Sequence, residues 1–227
     1  MGWVGLGRGW RVGGFFAHPY HQGTSLPVPI LFEFKSGTAL GWKELVDNEL
    51  FDKSFMEALQ WDSVLKAIIL SHCFSNYRDL FNLCHFVCRW YTATHTFLLS
   101  YDEITVTLED VAIQLLLPIL GGVDPSALEL YPEEETVEVE LRKGMSGNVK
   151  LSHWVRPFSK ASIAACRAAL VTFWLCKFIF GSHPHYAMKP LYFRLAIKIS
   201  VKVSLPLAPM FLRHLYVQLD ILPSDKD

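Results

Sequence analysis

Residues Arg89–Gly122 read RWYTATHTFLLSYDEITVTLEDVAIQLLLPILGG, and this stretch decides the fold. Two runs within it, Thr94–Leu99 (THTFLL) and Glu103–Thr107 (EITVT), alternate with period two and are rich in β-branched and aromatic residues. Ser100-Tyr101-Asp102 supplies a turn between them, so the pattern predicts a β-hairpin. A helix is predicted directly afterwards, over Leu108–Leu117. Thr107 can cap it with its hydroxyl, and Glu109 and Asp110 put negative charge beside the free amides of its first turn. The helix must stop ahead of Pro118, because the residue before a proline is disfavoured in α geometry. Upstream, Tyr77–Arg89 reads as a helix capped within Asn76–Asp79, with Leu80, Leu83, Cys84 and Val87 on its buried side. It delivers Arg89 and Trp90 to the hairpin.

Outward from this unit the pattern stays helical. Trp42–Phe51, Ser54–Leu59 and Asp62–His72 read as helices, the last with Val64, Leu65, Ile68 and Ile69 on one face. Ser159–Phe180 reads as a long helix ended by Gly181, apolar nearly all round and so expected to run through the core. Leu191–Val203, opened by Pro190, and Leu207–Leu222 complete the helical set. Between the two helical parts, Asp124–Lys150 reads as an exposed connection. It carries a solvated acidic run, Glu133 to Glu135, and an alternating segment, Thr136–Leu141 (TVEVEL), expected as an edge strand. The fold class is therefore mainly α, a single helical domain with a small β-hairpin or sheet insert. Residues 1–39, rich in glycine and proline, read as a disordered arm, 40–222 as the domain, and 223–227 as a tail.

The chain has 227 residues, 51% of them hydrophobic, and 21 basic against 22 acidic side chains give a net charge of −1. That balance argues against strong non-specific nucleic-acid or anionic-membrane binding. The longest apolar run, Ala161–Phe180, is interrupted by Arg167 and Lys177, which argues against a membrane span. Five irregularly spaced cysteines fit a reduced intracellular compartment.

Candidate chemistry is sparse. The glycine-rich GLGRGW near the start lacks the strand and helix that a phosphate loop needs. Cys84, His85 and Cys88, with His72 and Cys73, lack a Cys-x-x-Cys pair, so core packing is the favoured reading over zinc. His183-Pro184-His185 reads as a surface loop. Glu103 and Asp110 are the carboxylates of the central stretch, Asp110 as helix-start chemistry and Glu103 as a hairpin-edge partner for Arg89. Arg89 and Trp90 read as a structural pair, the indole buried and the guanidinium bonded to a carboxylate or carbonyl. Arg194, Lys198 and Lys202 recur every fourth residue as a basic stripe, either a phosphate contact or a solvated helix face.

The order Arg89-Trp90, Thr94-His95-Thr96-Phe97, Glu103 through Thr105, Thr107 and Asp110 to Ala112, then Leu117-Pro118 with Gly121, resembles the core of the plant mobile domain family. That family's pattern is a Trp, a Thr-His/Asn-Thr-Phe, a Glu-Met-Thr-Ile-Thr-Leu-x-Asp-Val and a Leu-Gly-Leu-Pro-x-x-Gly at the same spacing. Leu116 departs from it, standing where the family usually has glycine. A second block, Trp154, FWLCKFIF (173–180) and SLPLAPMFLRHLYVQL (204–219), is similar to the later part of the family. The resemblance covers about Leu40 to Leu222 and suggests a shortened copy. It implies a non-enzymatic interaction module of the nucleus, linked to meristem maintenance, genome integrity and transposon silencing. It also implies nuclear protein partners, a phosphatase-like protein among them, with no catalytic, cofactor or metal residues. The family's other label, aminotransferase-like, would require a Schiff-base lysine, a phosphate cradle and a carboxylate for the pyridine nitrogen, and no such set can be named. Two alternatives stay open: a nucleic-acid-binding module derived from a transposable element, and an enzyme of unknown class.

Overall fold

The computed structural model describes residues 52–222, apart from residues 62, 74–79, 144, 146, 148, 182–183 and 185–186. The expected arm, the Trp42–Phe51 helix, the Asn76–Asp79 cap, GLGRGW and the two histidines of the His183-Pro184-His185 loop lie outside them. The described chain is mainly α with a small antiparallel sheet, as its periodicity predicts. In order come α1 (Lys53–Trp61), α2 (Leu65–Cys73), α3 (Leu80–Val87), β1 (Trp90–Tyr91), β2 (Thr96–Leu98), β3 (Glu103–Ile104) and α4 (Leu108–Leu115). They are followed by α5 (Pro132–Arg142), the short α6 (Leu151–Trp154), α7 (Ile163–Trp174), α8 (Phe193–Ser200) and α9 (Leu207–Ile221).

The main core forms around α7. Ala165, Cys166 and every residue from Ala168 to Trp174 are buried, so this helix is wrapped on all sides. Its start is Ser162, whose hydroxyl accepts from the Ala165 amide, rather than Ser159. Residues 156–160 form a separate 3-10 turn. Past Trp174 the coil widens into a π-helical turn, Leu175–Ile179. Helix α8 lies along α7, α5 packs on both, and α1 packs on α8. Full burial of Phe55, Trp174, Phe193 and Ile197 ties these helices into one apolar cluster. Val64, just before α2, and Ala67 and Ile68 on it turn inward, whereas Ile69 is exposed, so the buried stripe is narrower than expected.

The expected edge strand at Thr136–Leu141 is instead the second half of α5. Pro132 sits at its first turn, and the Tyr131 amide donates to Glu134 Oε2 at 2.8 Å. The buried residues Glu134, Glu138 and Leu141 fall at helical spacing. The acidic run is thus not wholly solvated. Lys198 Nζ, on α8, donates to Glu134 Oε2 at 2.6 Å, and Tyr131 covers the ammonium with its ring at 4.4 Å. Glu138 Oε1 accepts from Arg142 Nη2 at 2.6 Å and its Oε2 accepts from Arg194 Nε at 3.3 Å.

The hairpin is shorter than its pattern suggested and gains a strand. β1 pairs antiparallel with β2, and β2 with β3, in the register Trp90–Phe97–Ile104. Trp90 and Phe97 therefore share the inner face, and with Val87 and Leu219 they form a second, smaller buried cluster. Phe86 stacks on Phe97 with ring centroids 4.0 Å apart. This orientation explains why Leu83, expected inside, is exposed: α3 turns Phe86 and Val87 to the sheet.

Candidate functional site

The family-like residues gather where the sheet, the start of α4 and the last helix α9 meet. Asp220 on α9 is the hub. One of its oxygens accepts from Trp90 Nε1 at 2.8 Å, and the other from His95 Nε2 at 3.2 Å. A carboxylate can only accept here, so Nε2 carries the proton and Nδ1 is left without a protein partner among the described residues. His95 has a left-handed backbone, φ 54°, which swings the imidazole across to α9. There it stacks on Tyr216, with centroids 5.1 Å apart and planes 9° from parallel. The turn is locked from behind: Thr105 Oγ1 donates to the His95 carbonyl at 2.6 Å, and the Tyr216 hydroxyl donates to the Val106 carbonyl at 2.7 Å.

Beside His95 lies an open hollow of about 360 Å³. Its walls are chiefly apolar, with Leu108 from α4 and Pro209, Leu212 and Val217 from α9; Arg213 and Asp220 lie along the same side of α9.

The other motif residues are tied into local structure. Thr94 and Thr96 share a hydroxyl hydrogen bond of 2.6 Å, and Thr96 Oγ1 donates to Glu103 Oε2 at 3.2 Å. Glu103 does not pair with Arg89, whose guanidinium donates to the His85 carbonyl at 3.2 Å. Thr107 and Asp110 form a reciprocal capping box at the start of α4. The hydrogen bonds from the Thr107 hydroxyl and amide hold the Asp110 carboxyl below its ordinary value. The helix ends at Leu116 in the left-handed conformation, φ 54° and ψ 35°, the position where the family usually has glycine.

The Leu117–Gly122 segment then docks onto the entry to α9. The Pro118 carbonyl accepts from the Ala208 amide, and the Gly122 amide donates to the Ser204 carbonyl, both at 2.9 Å. A Cβ on Gly121 would lie 2.6 Å from the Pro206 nitrogen and 2.8 Å from the Leu205 carbonyl carbon, both backbone atoms that cannot swing aside. Only glycine fits that approach.

The basic stripe does not form one face. Lys198 is buried in its ion pair, Arg194 is bonded to Glu138, and Lys202 lies beyond the end of α8 at φ 70°. Both readings of the stripe fail at Lys198, which faces neither solvent nor an open surface. Cys84 is half-buried and Cys88 exposed, so core packing does not describe Cys88. Among the described residues, no three His, Cys, Asp or Glu side chains are placed to hold a metal ion. Cys176 is buried against Met188, and burial pushes its thiol up to about 12, which keeps it protonated and unreactive. No helix among the described residues is long and apolar enough to cross a membrane.

Asp220 and Tyr216 escaped the sequence reading. Asp220 is the single carboxylate of α9, set between Leu219 and Ile221. That isolation is the one signal the sequence offers.

The model of the plant mobile domain family matches residues 64–226. The chain belongs to the plant mobile domain family. The match starts later than Leu40, and it spans both the hairpin unit and α9, so Trp90, His95 and Asp220 all lie within one family domain. Neither a curated protein nor a solved structure matches the chain.

Proposed function

We propose that this plant mobile domain protein is a non-enzymatic interaction module of the nucleus, serving meristem maintenance, genome integrity and transposon silencing through protein partners. A phosphatase-like protein is the partner class the family resemblance suggests. The observation that carries the reading is how the motif residues are used. Trp90, Thr105, Thr107, Asp110, Pro118 and Gly121 each satisfy or accommodate a group of this same chain, building a shaped surface. The nucleic-acid alternative loses support, because Lys198 and Arg194 are engaged by α5. An enzyme has one observation in its favour, His95 held by Asp220 beside a hollow with Nδ1 unbonded, the posture of a general base.

The test is affinity capture of the tagged full chain from plant nuclei, with and without nuclease. Nuclease-resistant recovery of a defined protein is expected. Recovery only of chromatin proteins that vanish with nuclease would overturn the reading in favour of nucleic-acid binding.

A further inference from the structure

We propose that the hollow beside His95 docks a short segment of a partner protein in which an apolar side chain lies next to a carboxylate. This rests on the interaction-module reading and names the surface and the partner chemistry. Leu108, Leu212 and Val217 give the hollow an apolar lining, and Ile221, one turn beyond Val217, extends the apolar strip in the open. A space of about 360 Å³ suits one or two side chains.

The rim carries one cation, Arg213, and one carboxylate, Asp220. Arg213 lines the hollow and is exposed, and no carboxylate among the described residues pairs with it. The acid on the same wall, Asp220, has both oxygens engaged by Trp90 and His95 and lies roughly 10 Å of helix rise from Arg213. At the Arg213 end an incoming carboxylate therefore meets a guanidinium that pairs with no carboxylate among the described residues, which suits bidentate recognition, while its apolar neighbour leaves water.

Selection of random seven-residue peptides on the folded full chain tests this. Enriched peptides are expected to place Asp or Glu within two positions of Leu, Ile or Phe. Arg213→Glu should turn the preference to Lys or Arg, and Val217→Asp should lower recovery at least about tenfold. Both side chains are exposed, so an unchanged unfolding midpoint will show that the variants fold. Enriched peptides indifferent to both substitutions would overturn the docking site and leave the interaction-module reading standing. No enrichment from the folded chain would also overturn the site, while the nuclear capture judges the broader reading separately.

Discussion

The helices around α7 and the sheet under α9 are stabilised by different means. The first region is large and dry: Trp174, Phe173, Phe193 and Leu170 are fully buried, and its charged groups, Glu134 and Lys198, are closed on each other. The second buries only Val87, Trp90, Phe97 and Leu219, and a sheet of two- and three-residue strands is marginal by itself. Its deficit is made up by polar bonds of high geometric demand, through Asp220, Tyr216, Thr105 and the Thr107–Asp110 box. The contrast bears on the first block of the family pattern, Arg89–Gly121, whereas Trp154 and Phe173–Phe180 of the second block lie in the large core. A core accepts many apolar side chains of suitable volume, whereas a small sheet anchored by single hydrogen bonds fixes residue identity.

The largest effect should come from breaking the polar closure of the large core. Glu134→Ala leaves the Lys198 ammonium buried without a counter-charge and should destabilise by about 3–5 kcal/mol. The double substitution Glu134→Leu with Lys198→Met should recover most of that loss, and urea unfolding midpoints will compare the two. Next is the junction between the regions. Gly121→Ala must push back the Leu205–Pro206 backbone, for about 1–3 kcal/mol, visible as a lowered midpoint at unchanged m-value.

A stabilising change sharpens the comparison at the other side of that junction. Leu116→Gly relieves a left-handed backbone that an L side chain adopts at a cost of about 1 kcal/mol, so the variant should unfold at higher urea concentration. The smallest effect concerns acid. Asp110 has a depressed folded-state pKa, so its contribution is fully present above the ordinary value of 3.8 and is lost as pH falls through the folded one. Asp110→Asn should flatten the acid limb of the stability curve below about pH 4 and leave its neutral slope unchanged.

Local signals were legible in the sequence wherever the deciding partner was close. The hairpin, the Thr107 cap and the burial of the centre of the Ser159–Phe180 run follow from neighbours within a few residues, although that helix starts at Ser162 and the one expected to reach Leu117 ends at Leu116. Leu116 stood out only as a departure from the family's usual glycine, and its left-handed backbone is seen in the structure alone. The failures are non-local. TVEVEL alternates like a strand, yet Glu134, Glu138 and Leu141 also satisfy a helical stripe, and what buries the glutamates lies 56 and 64 residues away on α8. The Asp220 hub was invisible for the same reason, its partners being 125 and 130 residues distant. The strand Trp90–Tyr91 is only two residues long, too short for any periodicity to show.

Amide hydrogen exchange on the full chain and on Asp220→Ala tests the division most directly. Removing the carboxylate should speed exchange at the Leu98 amide, bonded to the Arg89 carbonyl, while the Phe173 amide in α7 keeps its protection. Equal acceleration at both amides, or none at Leu98, would contradict the claim that Asp220 holds the sheet to α9 independently of the core.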